Sequence, residues 1–366
     1  MEKLDTPVKP VGSWLKRLVR QQIFIPLAAL LILVVFNLIA DPGFFRITMG
    51  QNSNGDPVLS GYLITILNNA SELVILAIGM TLVTSASGGQ DISVGAAIAI
   101  AGSVILRVLC GDEARPEAMQ APIIVAFLVA CGVAMLFGAF NGVLVAYFKI
   151  QPMVATLILF TAGRSIAAWI NNNELPIIND PRFGYFGNFI PGIPIPTPVF
   201  IAVACMIVIA LVLKYTTLGL YTQSVGINAH SSRLNGINPA FVKFLTYVIL
   251  GLCVAVAALI KVSRISTINY SVIAKDIEMD AILAVALGGN ALSGGKFNMA
   301  ASILGAYVIQ FLTTTLYKFN VASDALPAYK AVVVIMLVVM SAPVVREKTA
   351  KLWKRLFSGK AAKEAN

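Results

Sequence analysis

Few residues in this chain have the types and spacing that catalysis requires. His230 is the only histidine, so no Ser-His-Asp arrangement can be assembled, and no two carboxylates share a helical spacing that calls for acid and base roles. The cysteines Cys110, Cys131, Cys205 and Cys253 are far apart and offer neither a metal-ligand spacing nor a disulfide framework. Lys296 follows a glycine-rich run, but a phosphate loop of the form G-x-x-x-x-G-K-[ST] needs glycine where Asn290 stands and Ser or Thr where Phe297 stands. The expectation is a protein that is not an enzyme, holds no metal and binds no ATP of its own.

The informative residues are instead polar ones inside apolar stretches, where lipid makes them costly and turns them toward a bundle interior or a cavity. Glu72 follows Asn68 and Asn69 by four and three residues, which puts all three on one helical face. Asn141 lies deep in one apolar stretch, and Thr156 and Arg164 stand eight residues apart on the next. Two readings stand for each: an interhelical hydrogen bond or snorkelling head group, or the lining of a hydrophilic path. Asp91 is either the N-cap of a helix starting at Ile92 or a path residue, with Ser93 beside it.

The elements that must hold these residues are membrane helices. Of 366 residues, 58% are hydrophobic and 12% charged, where a soluble domain carries about 25% charged residues. Mean hydropathy is +0.84. Ten apolar segments can be drawn, at about 23–40, 62–84, 92–109, 122–147, 152–171, 199–213, 244–262, 279–297, 299–318 and 329–345. The first follows basic residues yet is long and lacks an Ala-x-Ala cleavage pattern, so it is expected to be a retained span. The fold class expected is all-α and polytopic, with about ten transmembrane helices in one membrane domain over 23–345 and flanking tails at 1–22 and 346–366.

Net charge is +10, and the tails supply most of it. Lys3, Lys9, Lys16, Arg17 and Arg20 outnumber Glu2 and Asp5, and Arg346, Lys348, Lys351, Lys354, Arg355, Lys360 and Lys363 outnumber Glu347 and Glu364. Basic residues flanking a span stay on the cytoplasmic side, so both termini are expected inside, in agreement with an even span count, and no nucleic-acid partner is needed to account for them. The same count puts the polar segment 214–243 inside. Lys261, Arg264 and Lys275 strain the scheme, because it places them at or near the outer face.

The chain also matches itself at an offset of 200 residues. Gly88-Gly89-Gln90-Asp91-Ile92-Ser93-Val94-Gly95 and Gly288-Gly289-Asn290-Ala291-Leu292-Ser293-Gly294-Gly295 share the pattern Gly-Gly-x-x-(Ile/Leu)-Ser-x-Gly, with Asn290 in the second copy. Paired glycines break a helix, and broken helices in both halves of a chain mark transporters built from internal repeats. Close packing of small residues would also account for the glycines alone.

Several ordered motifs make the chain resemble the membrane permeases of ATP-binding-cassette carbohydrate importers, the ribose and galactofuranose group, over residues 60–345. They are Ala77-Ile78-Gly79-Met80-Thr81 leading to Gly88–Gly95, Ile150-Gln151-Pro152-Met153-Val154-Ala155-Thr156-Leu157, the segment Thr217 to Asn238, and Asp280-Ala281-Ile282 through Gly294-Gly295. Lys149-Ile150-Gln151-Pro152, Ala162-Gly163-Arg164 and Leu245-Thr246-Tyr247 bring it nearer the galactofuranose members. It departs from the family at Gln90 and Ile92 and at His230-Ser231-Ser232, where Glu-Ala-Ala is usual. The resemblance implies a pore-forming subunit in a bacterial inner membrane that imports a monosaccharide, galactofuranose or a related sugar. It also implies a cytoplasmic ATP-binding subunit that supplies the nucleotide site, a second permease subunit of a different chain, and an extracytoplasmic sugar-binding protein. His230, Arg233 and Leu234 would then form a short coupling helix on the ATPase, ended by Gly236. A secondary transporter or channel for a small polar solute is the alternative, with Glu72, Asp91 and Arg164 as its relay candidates.

Overall fold

Lipid offers backbone N–H and C=O groups no partner, so an apolar segment of this chain can satisfy them only as a helix. The computed structural model describes residues 23–51 and 55–341; the tails at 1–22 and 346–366 and the end of the tenth expected segment lie outside the described residues. The helices are α1 (Phe24–Ala40), α2 (Tyr62–Ser87), α3 (Val94–Cys110), α4 (Ile123–Ala146), α5 (Pro152–Ile170), α6 (Thr197–Tyr215), α7 (Leu218–Ile227), α8 (Ala229–Leu234), α9 (Pro239–Ile265), α10 (Ile277–Leu287), α11 (Met299–Lys318) and α12 (Leu326–Ser341). Pro181–Gly184 adds a single helical turn. Among the described residues, six helices are long and apolar enough to cross a membrane: α2, α4, α5, α6, α9 and α11. α1, α3 and Leu326–Met336 of α12 are apolar but shorter.

α2 is the axis of the bundle. It is buried without interruption from Ala70 to Ala86, as a helix apolar on every side should be, and it packs on α9, α11, α6 and α10. α4 and α6 are apolar too, yet Ile124, Leu128, Leu136, Ile207 and Val208 are exposed, so these helices face outward. α4 and α9 cross almost backbone to backbone. A Cβ on Gly251 would lie 2.5 Å from Ala134 O, and one on Gly138 would run into Tyr247 O. Close contact of this kind holds helices together by packing where lipid supplies no hydrophobic force.

The ends of the bundle differ. At one, the segment 41–61 carries an antiparallel hairpin of β1 (Thr48–Gln51) and β2 (Pro57–Ser60), in register Thr48↔Ser60. This corrects the all-α expectation: strand edges are tolerable outside the hydrocarbon, and Leu59 N bonds Pro194 O at 3.0 Å. Phe44 stacks on Tyr62 with centroids 4.9 Å apart. Lys318 pairs with Asp41, and its hydrogen bond holds the Asp41 carboxyl below the usual range. The segments of this hairpin end carry Asp41, Asp56, Asp112, Glu113, Glu117, Glu174, Asp180 and Asp324. At the glycine-loop end, segments 147–151, 214–243 and 288–298 carry Lys149, Lys214, Arg233, Lys243 and Lys296 and no carboxylate.

Two further expectations are corrected at that end. The eighth apolar segment, 279–297, is not one span: α10 stops at Leu287 after 11 residues, and 288–298 is irregular. Hydropathy runs straight across Gly288 and Gly289, but the backbone breaks there because protein groups satisfy it. Gly295 N donates to Ser85 O at 3.0 Å, and Asn298 N donates to Asn290 Oδ1 at 2.7 Å. The segment 214–243, expected as a loop with one short helix, is largely helical in α7, α8 and the start of α9, with Asn228 Oδ1 capping Ser231 N at 2.9 Å.

The α4–α9 crossing predicts that Gly251→Leu, which forces a side chain into the Ala134 backbone, destabilises the protein by about 1–3 kcal/mol, the usual cost of overpacking. Thermal melting of the purified chain checks this, and Gly132→Leu, whose Cβ position meets nothing within 4 Å, serves as the neutral control.

Candidate functional site

Two polar clusters form inside the bundle. The first is a cavity of about 320 Å³ between α2, α9, α10 and α11, lined by Asn69, Glu72, Lys261, Arg264, Lys275, Asp280 and Gln310. Asn68, Asn69 and Glu72 do share one face of α2, and the residue they surround is Arg264. Its NH1 donates to Asn69 Oδ1 at 3.1 Å, and its NH2 to Asn68 Oδ1 at 3.2 Å and Asn68 O at 3.3 Å. Glu72 is 2% exposed and is flanked by Lys261 Nζ at 2.8 Å and Arg264 NH1 at 2.7 Å. Glu72 Oε1 lies off the hydrogen-bond direction of that NH1 and accepts no hydrogen bond, so the contact is an ion pair while the guanidinium protons go to the asparagines. Across the cavity, Lys330 Nζ reaches Asp280 Oδ2 at 2.7 Å. Gln310 stands midway along α11, so the cavity reaches the middle of the bundle.

Lys261 and Arg264, which strained the topology read from charge alone, occupy the last turns of α9 and both pair with Glu72. Sequence reasoning missed them as site residues, along with Lys275, Asp280 and Gln310. The signal available was the spacing of three between Lys261 and Arg264, which puts two cations on one helical face.

The second cluster joins Asp91, Ser93, Asn141 and Thr156. Ser93 N and Oγ donate to Asp91 Oδ1 at 2.8 and 2.6 Å, and Asn141 Nδ2 stands 3.3 Å from Asp91 Oδ2 and 3.0 Å from Ser93 Oγ. Ile92 N donates to Thr156 Oγ1 at 3.2 Å. α3 therefore starts at Val94 rather than Ile92, with Ser93 and not Asp91 at its N-cap position, and Asp91 holds Ser93 N outside the helix. Asp91, Ser93, Asn141 and Thr156 are all buried, and the void beside Asp91, Ser93 and Asn141 is only about 10 Å³, so this cluster knots α3, α4 and α5 together.

Arg164 and Asn290 belong to neither cluster. Arg164 NH1 donates to Tyr270 O at 2.8 Å and Ile273 O at 3.0 Å, clasping the loop that leads into α10. Asn290 Nδ2 donates to Ser302 Oγ at 2.6 Å, and Thr81 Oγ1 donates to the same oxygen at 2.8 Å. The two Gly-Gly segments meet directly. A Cβ on Gly88 would lie 2.7 Å from Ser293 O, and Gln90 Nε2 donates to Leu292 O at 3.0 Å. Gly226 of α7 closes this junction, since a Cβ there would run into Ser85 O and lie 2.6 Å from Gly295 N. On α8, His230, Arg233 and Leu234 are exposed, and Gly236 follows at φ +79°.

Residues 62–342 match the family described as the branched-chain amino acid transport system / permease component. The chain belongs to that permease family. The permease is 39% identical over 313 residues to the galactofuranose transporter permease protein YtfT of Escherichia coli (strain K12), covering 86% of this chain and 87% of that protein. It is 34% identical to the fructose import permease protein FruF of Bifidobacterium longum (strain NCC 2705), over 94% of each chain. To the ribose import permease protein RbsC of Escherichia coli (strain K12) it is also 34% identical, over 86% of this chain and 92% of that one. No solved structure matches it. It is thus a polytopic inner-membrane permease of the ATP-binding-cassette sugar importer family.

The buried ion pairs predict that Glu72→Gln costs the permease about 3 kcal/mol, the lower end for breaking a buried pair because Lys261 stays partly solvated. The double variant Glu72→Gln with Arg264→Gln is expected to melt at a higher temperature than Glu72→Gln alone, which thermal melting of the two proteins checks.

Proposed function

We propose that the permease forms one half of the conduit of an importer that moves a monosaccharide, galactofuranose or a related sugar, inward when a separate ATP-binding subunit closes on ATP. The observation that carries this reading is the cavity at Glu72 and Asp280. Carboxylates, amides and cations around 320 Å³ can exchange hydrogen bonds with sugar hydroxyls, and no aromatic ring lines it. A polyol held by polar edges without a stacked ring binds loosely, which suits a conduit that must also release it. Affinity then resides in an extracytoplasmic binding protein, and a second permease subunit, a different chain, completes the path. Asn68, Asn69 and Glu72 are its path residues, while Asp91, Ser93, Asn141, Thr156, Arg164 and Asn290 support it by holding the broken helices.

The glycine-loop end is read as the cytoplasmic one, because segments 147–151, 214–243 and 288–298 hold Lys149, Lys214, Arg233, Lys243 and Lys296, and basic residues beside a span are retained inside. That orientation puts both termini inside and the hairpin toward the binding protein, with about ten helices contributing to the membrane domain. The two contacting Gly-Gly segments are read as one element of an internal repeat, each breaking a helix where protein satisfies the backbone. α8 docks on the ATPase through Leu234 and Arg233, with His230 beside them. Gly226 then transmits the movement of α7 to the junction of Ser85 and Gly295.

Two measurements test this. Sugar uptake by vesicles carrying the assembled importer is expected to stop when ATP is depleted with the proton gradient intact; uptake that persists identifies a secondary transporter instead. Leu234→Asp combined with Gly236→Arg is expected to abolish co-purification with the ATP-binding subunit and sugar-stimulated ATP hydrolysis while the permease still inserts. Wild-type coupling in that variant would remove α8 from the interface.

A further inference from the structure

The chain also leaves the helix between α9 and α10, at residues 266–276, and the backbone there is strained. Ser266, Ala274 and Asp276 have φ of +53°, +52° and +64°. Asp tolerates that left-handed region through its own side chain, whereas Ala does not. Residues other than glycine persist there only where the surroundings hold them, and such strain gathers at segments that switch. Val272, Ala274 and Lys275 form part of the wall of the cavity at Glu72 and Asp280.

The segment is held unevenly. Its first residues are tied to the hairpin end, where Ile178 N donates to Ser266 O at 2.9 Å and Thr267 Oγ1 donates to Pro176 O at 2.9 Å. Ile268 and Ile273 are buried. Among the described residues, the hydrogen bonds that reach 268–275 from outside the segment and the adjoining α10 are the two from Arg164, to Tyr270 O and Ile273 O. One side chain of α5 therefore fastens the strained part.

A second seat for that guanidinium stands close by. Glu278, in the first turn of α10, is 3% exposed, and its Oε2 accepts no hydrogen bond among the described residues. A buried carboxylate oxygen without a donor calls for a physical reason. Arg164 and Glu278 flank the same spot on α3. A Cβ on Gly95 would run into Glu278 Oε2 and lie 2.7 Å from Ala274 O, and a Cβ on Gly163, the neighbour of Arg164, would lie 2.9 Å from Ala96 Cβ. The charge of Arg164 reaches Glu278.

We propose that residues 266–276 form a strap with two positions: Arg164 fastens it through Tyr270 O and Ile273 O in this structure, and gives its hydrogen bonds to the Glu278 carboxylate in the other. Release lets Ala274 leave the left-handed region, which offsets the loss of the two carbonyl contacts. Tyr270 O and Ile273 O, freed beside the cavity-lining Val272 and Ala274, can turn to water. The wall of the cavity then shifts. That consequence for transport rests on reading the cavity as the conduit, whereas the strap itself does not. Arg164 and Glu278 are positioning residues, since neither lines the cavity.

The test is hydrogen–deuterium exchange of the full-length permease in detergent, read by mass spectrometry on the peptide that carries 268–276, without sugar or ATP-binding subunit. Arg164→Ala is expected to speed exchange there at least roughly tenfold, since hydrogen bonds from a charged group are lost. Glu278→Gln is expected to slow it roughly fivefold, because the second position loses its charged partner. Ala274→Gly, which adopts φ +52° without strain, is expected to slow it by a similar factor. In the Arg164→Ala background, Glu278→Gln should change nothing, because the carboxylate acts through that guanidinium. An undiminished effect in that background would overturn the proposal, since burial of the carboxylate would account for it alone. So would wild-type exchange in Arg164→Ala, or an acceleration that spreads equally through α2, which would make Arg164 a general packing residue. If Arg164→Ala does not fold, Arg164→Gln, which keeps an amide donor without the charge, takes its place: faster exchange supports the strap and wild-type exchange overturns it. Exchange needs no transport, so the strap can fail with the import reading intact, and uptake that survives ATP depletion would overturn that reading without moving these rates.

Discussion

Everything in this permease depends on satisfying backbone groups that lipid will not solvate. A continuous helix does so by itself, so the places where the chain abandons the helix inside the bundle must be held by something else. At residues 88–93 and 288–298, each segment holds the other. Ser293 O sits against Gly88, Leu292 O accepts from Gln90, and Gly295 N donates to Ser85 O. Side chains in that contact would separate the segments and leave their carbonyls unpaired, which explains why glycines gather there without appeal to flexibility.

Around this junction the buried polar groups divide into those that fasten and those that line space. Asp91, Ser93, Asn141 and Thr156 are sealed and hydrogen-bonded, and their closeness fixes where α3 begins. Asn290 fastens the second loop to α11, and Arg164 gives its protons to two loop carbonyls before α10. Glu72, Asp280 and Gln310 face an open cavity instead. Charge is tolerated there because Lys261 and Arg264 stand within ion-pair distance of Glu72, and Lys330 within ion-pair distance of Asp280.

The polar segment 214–243 ties the surface to this interior. α7 is more than a solvated connection, since Gly226 lies against Ser85 and Gly295 at the contact between the two broken helices. The charge arrangement reinforces the polarity of the molecule. Segments 147–151, 214–243 and 288–298, at the end that carries α7 and α8, hold cations and no carboxylate, while the loops at the hairpin end hold carboxylates and cations together.

The sequence by itself determined the helical membrane class and nearly all of the helix positions, because a run of about twenty apolar residues has one stable structure in lipid. It also marked both Gly-Gly breaks, and it put Asn68, Asn69 and Glu72 on one face through the period of the helix. What it could not determine was partnership between distant positions. Nothing in the local pattern around residue 164 says that its guanidinium reaches the carbonyls of Tyr270 and Ile273, nor that Glu72 meets Lys261 and Arg264 nearly two hundred residues later. Hydropathy likewise carried the eighth segment across Gly288, since an average over apolar residues does not register whether a backbone has other partners. Tertiary structure decided those points, because the cost of a buried polar group depends on what faces it across the bundle, and only the packing of α2, α9, α10 and α11 sets that.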